Sequence, residues 1–185
     1  MTEAGITTEQ AVGWADEMRI GLMGTTRRVW GRRGVKVVQP IQQERDWRYL
    51  HLVCDPLGGR LWWGWYYTMD GEATTQLVMA TRDETDLAAL VWDRAPSHRT
   101  ASVRAVGLPL IEQPPYAPEL NPAERVFEHL RAGIEGRVYP SIAEKLSAVE
   151  AMLQELDADP ARVKRLIGWQ WIRTALADHP TDYAA

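Results

Sequence analysis

Residues 87–93 read LAALVWD, from Leu87 to Asp93. Leu87 to Trp92 is apolar on both alternating phases, the pattern of a strand covered on both faces rather than on one. Such a strand belongs inside a sheet that carries other layers on each side, and this one ends at a carboxylate. Open α/β sheets place their ligands at the carboxyl ends of strands, which makes Asp93 the first candidate functional residue.

Upstream, Ala11 to Met23 alternates as a strand does, with Val12, Trp14, Asp16, Met18, Ile20 and Leu22 on one phase and Gly13, Ala15, Glu17, Arg19 and Gly21 on the other. Asp16 shares the apolar phase, where an unpaired carboxylate costs several kcal/mol, so a cation is expected beside it. Arg19 lies on the opposite phase and is a poor candidate for that cation. Arg27 to Val38 reads as a second strand broken at Gly31 and Gly34, and Trp47 to Cys54 (WRYLHLVC) as a third. The turn signal DPLGG at Asp55 to Gly59 leads into a fourth, LWWGWYYTM, and these strands predict an antiparallel meander. A short helix is expected over Thr74 to Thr81. If the first strand neighbours the buried one, Asp16 and Asp93 converge.

Downstream, a short strand near Leu108 to Ile111 precedes PPYAPELNP, whose four prolines and Asn121 leave few backbone conformations open. A helix follows, with Asn121 suited to the N-cap, Pro122 to the first position and Glu124 to the third. Val126, Phe127 and Leu130 form its apolar face and Gly133 its expected end. The NPAE stretch is also a capping-box arrangement, in which Glu124 would turn back to the N-cap N–H instead of serving a site. Ile142, Leu146, Val149, Leu153 and Leu156 keep helical spacing, and Asp159 with Pro160 opens a last helix bearing Val163, Leu166, Ile167 and Ile172. Strands, a doubly covered strand and then helices predict a mixed α/β fold of one sheet with helices packed on it.

The chain has 185 residues, 45% apolar and 25% charged, which fits a single water-soluble domain spanning residues 1–185. Cys54 is the sole cysteine, so an internal disulfide and a cysteine-built zinc site are both excluded. The N-terminal stretch is acidic and lacks the pattern of a signal peptide, and no run approaches 18 apolar residues, so neither secretion nor a membrane partner is expected. Net charge is −4, which argues against nucleic acid as a partner of the surface as a whole. One window reverses that balance: Arg19, Arg27, Arg28, Arg32, Arg33, Lys36 and Arg45 face only Glu44 and Asp46. It reads either as a solvated charged loop or as a track for a phosphate backbone.

WDRAPSHR, beginning at Trp92, and LPLIEQPPYAPELNPAERVFEHL, beginning at Leu108, resemble the second and third catalytic blocks of mariner-superfamily transposases, particularly those of bacterial insertion sequences. WADEMRIGLMGTTRRVWGRRG, beginning at Trp14, resembles the first block. The resemblance implies an RNase H-like fold and a carboxylate triad that falls on Asp16, Asp93 and Glu124, together holding two Mg²⁺ or Mn²⁺ ions. The gap from Asp93 to Glu124 holds 30 residues, short for the family. Where the family usually has Asn after the second Asp, this chain has Arg94, a cation suited to a phosphate contact. His98 matches the family's histidine, for which a structural or phosphate-contact role is expected over metal ligation. The DNA-contacting set is therefore Arg27, Arg28, Arg32, Arg33, Arg94 and His98.

The function so implied is metal-dependent cutting and strand transfer in cut-and-paste DNA transposition, in the cytoplasm at the nucleoid. Transposon ends and target DNA would be the partners, with a second copy of the chain as a further candidate. The family's N-terminal helix-turn-helix segment has no counterpart here, so end recognition is expected from a separate segment or chain. The alternative is a decayed or domesticated domain that binds DNA non-specifically without catalysis. Trp62, Trp63 and Trp65 put indoles on both faces of one strand, which suits core and edge packing better than base stacking.

Overall fold

The computed structural model describes residues 11–24 and 30–177. Five strands, β1 (Val12–Gly21), β2 (Trp47–Asp55), β3 (Arg60–Tyr66), β4 (Ala89–Trp92) and β5 (Leu110–Glu112), form one sheet in the order β3-β2-β1-β4-β5. β1, β2 and β3 make an antiparallel meander, whereas β4 pairs parallel with both β1 and β5. The central position of β1 and β4 explains their apolar runs, because each is covered on both faces.

On one face lie α1 (Gly71–Glu84) and the short α2 (Ala101–Ala105), whose Leu77, Val78 and Val103 pack with Ala15, Val53, Leu90 and Trp92. The other face carries α3 (Ala123–Ile134), α4 (Ile142–Asp157), α5 (Pro160–Ile167) and α6 (Gln170–Ala177). Val126, Phe127, Leu130, Val149 and Leu153 there meet Val12, Trp14, Leu50 and Leu52. This is the RNase H-like α/β arrangement of a mixed sheet flanked by helices. No helix among the described residues is long and apolar enough to cross a membrane.

Several local expectations are corrected. Among the described residues, 30–46 carry no strand: β1 pairs directly with β2, so a strand from that stretch has no place between them. The segment is instead a long loop pinned at its base by Leu22 N–H to Asp46 O (3.0 Å) and Gly24 N–H to Gln42 O (2.8 Å). α1 is longer than its apolar pattern, because the Asp70 carboxylate caps it by accepting from the N–H groups of Glu72 and Ala73. Gly133 does not end α3. A Cβ at Gly133 would run into the Met152 side chain of α4, while the stop comes at Gly136, whose φ of 77° is the left-handed conformation that closes helices. The last helix is two, α5 and α6, separated at Gly168 and Trp169.

The indoles of β3 serve packing. Trp63 and Trp65 both donate to one oxygen of Glu150 on α4, at 2.9 and 3.0 Å, and Trp62 packs on the opposite face beneath the Arg60 guanidinium.

Candidate active site

β1 and β4 run parallel with Trp14 beside Val91. Two residues further along stand Asp16, midway through β1, and Asp93, just past the end of β4, so period-2 alternation brings both carboxylates to the same face beside the end of β4. α3 packs across that face, and its first turn contributes Glu124. All three line one cleft of about 470 Å³, with Arg94, Gln113, Tyr116 and Asn121 among its other walls.

The partner of Asp16 is an amide. Asn121, 2% exposed, donates from Nδ2 to Asp16 Oδ2 at 3.1 Å, and the Glu17 N–H donates to Asp16 Oδ1 at 2.8 Å. The expected cation is absent among the described residues, because neutral donors satisfy the oxygens and leave the charge uncompensated. Burial raises the Asp16 pKa to about 7, with the charges of Glu17, Glu124 and Asp93 adding to the effect and the Glu17 N–H opposing it.

Asp93 has the opposite environment. His98 Nδ1 lies 2.8 Å from its Oδ1, and the Ala95 N–H donates to the same oxygen at 2.8 Å. The His98 bond depresses the Asp93 pKa against the opposing effect of partial burial. His98 itself is 3% exposed, stacks on Trp92 at 4.2 Å, and places Nε2 2.9 Å from Glu17 Oε1. Burial works against its charged form, but the hydrogen bonds and charges of Asp93 and Glu17 outweigh it and raise the pKa to about 10. Of the structural and phosphate-contact roles expected for His98, its position fits the structural one: the ring faces the interior between the two carboxylates.

Glu124 does not close a capping box. The Asn121 N–H is committed to Pro118 O at 2.9 Å, while Arg131 approaches the Glu124 carboxylate at 3.5 Å. The N-terminal cap comes from Asn121, whose Oδ1 accepts from the Ala123 N–H at 3.1 Å. Arg94 donates through Nε to Gln113 O at 2.9 Å and lies 3.5 Å from Glu112, which sets it along one wall of the cleft.

Among the described residues, no three histidine, cysteine or acidic side chains are yet close enough to hold one ion together. The donor set nonetheless fits a hard divalent cation. Its ligands would be carboxylate oxygens, and a half-buried Asp16 flanked by like charges is the environment that such an ion relieves.

Arg32 and Arg33 are exposed beside the turn in which the Val35 N–H donates to Arg32 O at 3.1 Å, and no ion pair among the described residues engages them. Arg27 and Arg28 lie outside the described residues. Three further residues at or behind the site carry no signal in the sequence. Glu17 lies on the phase of β1 opposite Asp16, and because the strand is covered on both faces that phase meets a packed layer as well. His51 sits opposite Glu17 in register, buried, with Nδ1 3.7 Å from Glu17 Oε1, and burial lowers its pKa while Glu17 opposes. Tyr116, fully exposed at the cleft, holds a φ of 57°, a strained conformation of the kind that gathers at functional sites.

A family model described as DDE superfamily endonuclease matches residues 11–155. Among solved structures, the Mos1 transposase paired-end complex with left transposon end superposes with a TM-score of 0.66 at 16% identity, covering 95% of this chain and 57% of that one. The Mos1 strand transfer complex gives 0.68 at 16%, over 95% and 56%. The Mos1 catalytic domain with raltegravir and Mg gives 0.60 at 15%, over 99% and 94%. The chain thus spans little more than half the length of the transposase chains in those DNA complexes, and at these identities the likeness establishes the fold. No curated protein matches.

Proposed function

Because the chain belongs to the DDE superfamily endonuclease family, we propose that it is the catalytic domain of a transposase, cutting DNA at transposon ends and joining the freed 3′ ends to target DNA. The observation that carries this reading is the convergence of Asp16, Asp93 and Glu124, from β1, the end of β4 and the start of α3, on one cleft. These three would hold two Mg²⁺ or Mn²⁺ ions, which when bound supply activation of the attacking oxygen and charge stabilisation of the leaving 3′ oxygen.

The chain's own residues prepare that reaction. Asn121 and the Glu17 N–H orient Asp16, and the Ala95 N–H with His98 holds Asp93. Arg131 stands beside Glu124. Arg94 at the cleft wall supplies positive charge for the DNA strand being cut, and Arg32 and Arg33, with Arg27 and Arg28 of the same stretch, track the phosphate backbone beyond it. Mos1 is seen on a transposon end, in a strand transfer complex and with Mg or Mn, and the shared fold supports the same reaction class here. Recognition of the ends belongs to a further segment or chain, a second copy is the natural partner for synapsing two ends, and the site of action is the cytoplasm at the nucleoid.

The test is nicking of duplex DNA by the 185-residue chain with Mg²⁺ or Mn²⁺. Cleavage should vanish on chelation and in Asp93→Asn, which keeps the size but removes the charge. Cleavage that survives either change would overturn the mechanism. A wild-type chain that neither cuts nor binds the metal would leave a non-catalytic DNA-binding domain as the reading.

A further inference from the structure

Asp16 and Glu17 are consecutive in β1, so their side chains leave the sheet on opposite faces. Asp16 enters the cleft beneath α3, whereas Glu17, with its side chain 6% exposed, points into the layer of α1 and α2. There it meets His98, which lies in a 3-10 turn, Pro96–Arg99, that follows β4 directly. His98 Nε2 is 2.9 Å from Glu17 Oε1, and Nδ1 is 2.8 Å from Asp93 Oδ1. The ring stacks on Trp92 with an interplanar angle of 6°, which fixes its plane. The Glu17 carboxylate is in turn hemmed in by His51, its cross-strand partner, whose ring packs on Tyr66 at 4.4 Å.

We propose that Glu17 and His98 form a buried strut that locks the Asp93 carboxylate in one rotamer at the cleft, and that both are positioning residues for the metal-holding set. This rests on the assignment of Asp93 as a metal ligand made above. Asp93 needs such support because it stands just beyond the last residue of β4 with its side chain 58% exposed, where an unsupported carboxylate would sample several rotamers. The Ala95 N–H donates to Oδ1 and His98 Nδ1 lies 2.8 Å from the same oxygen, with the Asp93 carbonyl a second partner at 3.4 Å, and no donor among the described residues reaches Oδ2. The strut therefore leaves one chosen oxygen for a ligand. A pair of polar side chains buried solely for packing could be replaced by apolar ones; a carboxylate joined through an imidazole to a second carboxylate at a cleft wall is the arrangement by which outer residues orient ligands, worth 10–100-fold in metal affinity.

The test is Mn²⁺ binding by the full chain, read from the electron paramagnetic resonance signal of free Mn²⁺, alongside thermal melting and DNA nicking. His98→Phe keeps the stack on Trp92 and loses both hydrogen bonds; Glu17→Gln keeps the shape and loses the charge. We expect His98→Phe to weaken Mn²⁺ binding by about 10- to 100-fold, and Glu17→Gln to weaken it less but in the same direction. Nicking should fall in parallel. His98→Asn, which restores a donor toward Asp93, should recover part of the Mn²⁺ affinity. If His98→Phe does not fold, Glu17→Gln decides. Wild-type Mn²⁺ affinity in folded His98→Phe, or in Glu17→Gln when that variant decides, overturns the strut while leaving Asp93 as a ligand. Should Asp93→Asn bind Mn²⁺ as the wild type does, the ligand assignment itself fails and takes the strut with it.

Discussion

The side-chain amide of Asn121 donates to the Ala15 carbonyl at 3.0 Å and to the Asp16 carboxylate at 3.1 Å. Its own oxygen accepts from the Ala123 N–H, so a single buried neutral residue ties the middle of the central strand to the start of α3. Replacing it with Ala leaves a buried carbonyl and a buried N–H without partners, a loss of about 1–3 kcal/mol. Asn121→Ala should therefore melt several degrees below the wild type. Asn121→Asp should fare worse at pH 8 than at pH 5, because it sets a second carboxylate against Asp16. Equal melting of Asn121→Ala and the wild type would show that the tie carries no energy.

The raised pKa of Asp16 makes stability depend on pH with a definite sign. The folded chain holds this proton up to about pH 7, whereas the unfolded chain releases it near 3.8, so between those values the folded state binds more protons. Stability from this group is thus full below about pH 4 and is lost as pH rises through 7, amounting to a few kcal/mol at most. Without metal, Asp16→Asn should match the wild type at pH 4 and exceed it in melting temperature at pH 8. With excess Mg²⁺ the wild type should gain at pH 8 and the variant should not, since the ion then compensates the charge. A variant that melts lower than the wild type at pH 8 in chelator would contradict the buried, uncompensated carboxylate.

How far sequence reading reaches is visible in these same residues. Asp93 at the end of an apolar run and Asp16 on the apolar phase of β1 are local patterns, whereas the pairing of β1 with β4, only a condition in the sequence reading, and its parallel direction come from the structure. Glu17 and His98, by contrast, are 81 residues apart, and no periodicity announces a bond between a strand and a one-turn helix in another layer. The expected cation at Asp16 was wrong for a related reason: burial calls for donors, and Asn121 supplies one from 105 residues away without any charge. The strand expected over Arg27 to Val38 was already broken at Gly31 and Gly34, and the exposure of Val35 and Val37 leaves the described part of it no apolar face to pair and bury.

Glu150 should behave as a stability residue rather than a DNA-facing one. Its Oε2 accepts from the indoles of Trp63 and Trp65 and so fastens the edge strand β3 to α4. Glu150→Ala strands two partly buried donors and should cost about 1–3 kcal/mol in urea unfolding, with Glu150→Gln costing less because it keeps an acceptor. DNA affinity should be unchanged in both. A loss of DNA binding without a loss of stability would point to the indoles as a stacking surface after all.

The basic loop yields a prediction that separates phosphate tracking from mere solvation. Arg32 and Arg33 stand exposed in a chain of net charge −4, so the rest of the surface repels DNA and steers it toward this loop. Binding should be weak, with a dissociation constant in the micromolar to ~100 µM range, and indifferent to sequence, because backbone contacts carry no base information. Each phosphate contact contributes about 0.9 to the slope of log affinity against log salt, so the double variant Arg32→Ala and Arg33→Ala should flatten that slope by roughly 2. Thermal stability should not move, since neither side chain forms an ion pair among the described residues. The measurement is a salt titration of fluorescence anisotropy on a labelled duplex. An unchanged slope would make the arginines a solvated loop, and a slope that changes only on one DNA sequence would mean that the loop reads bases.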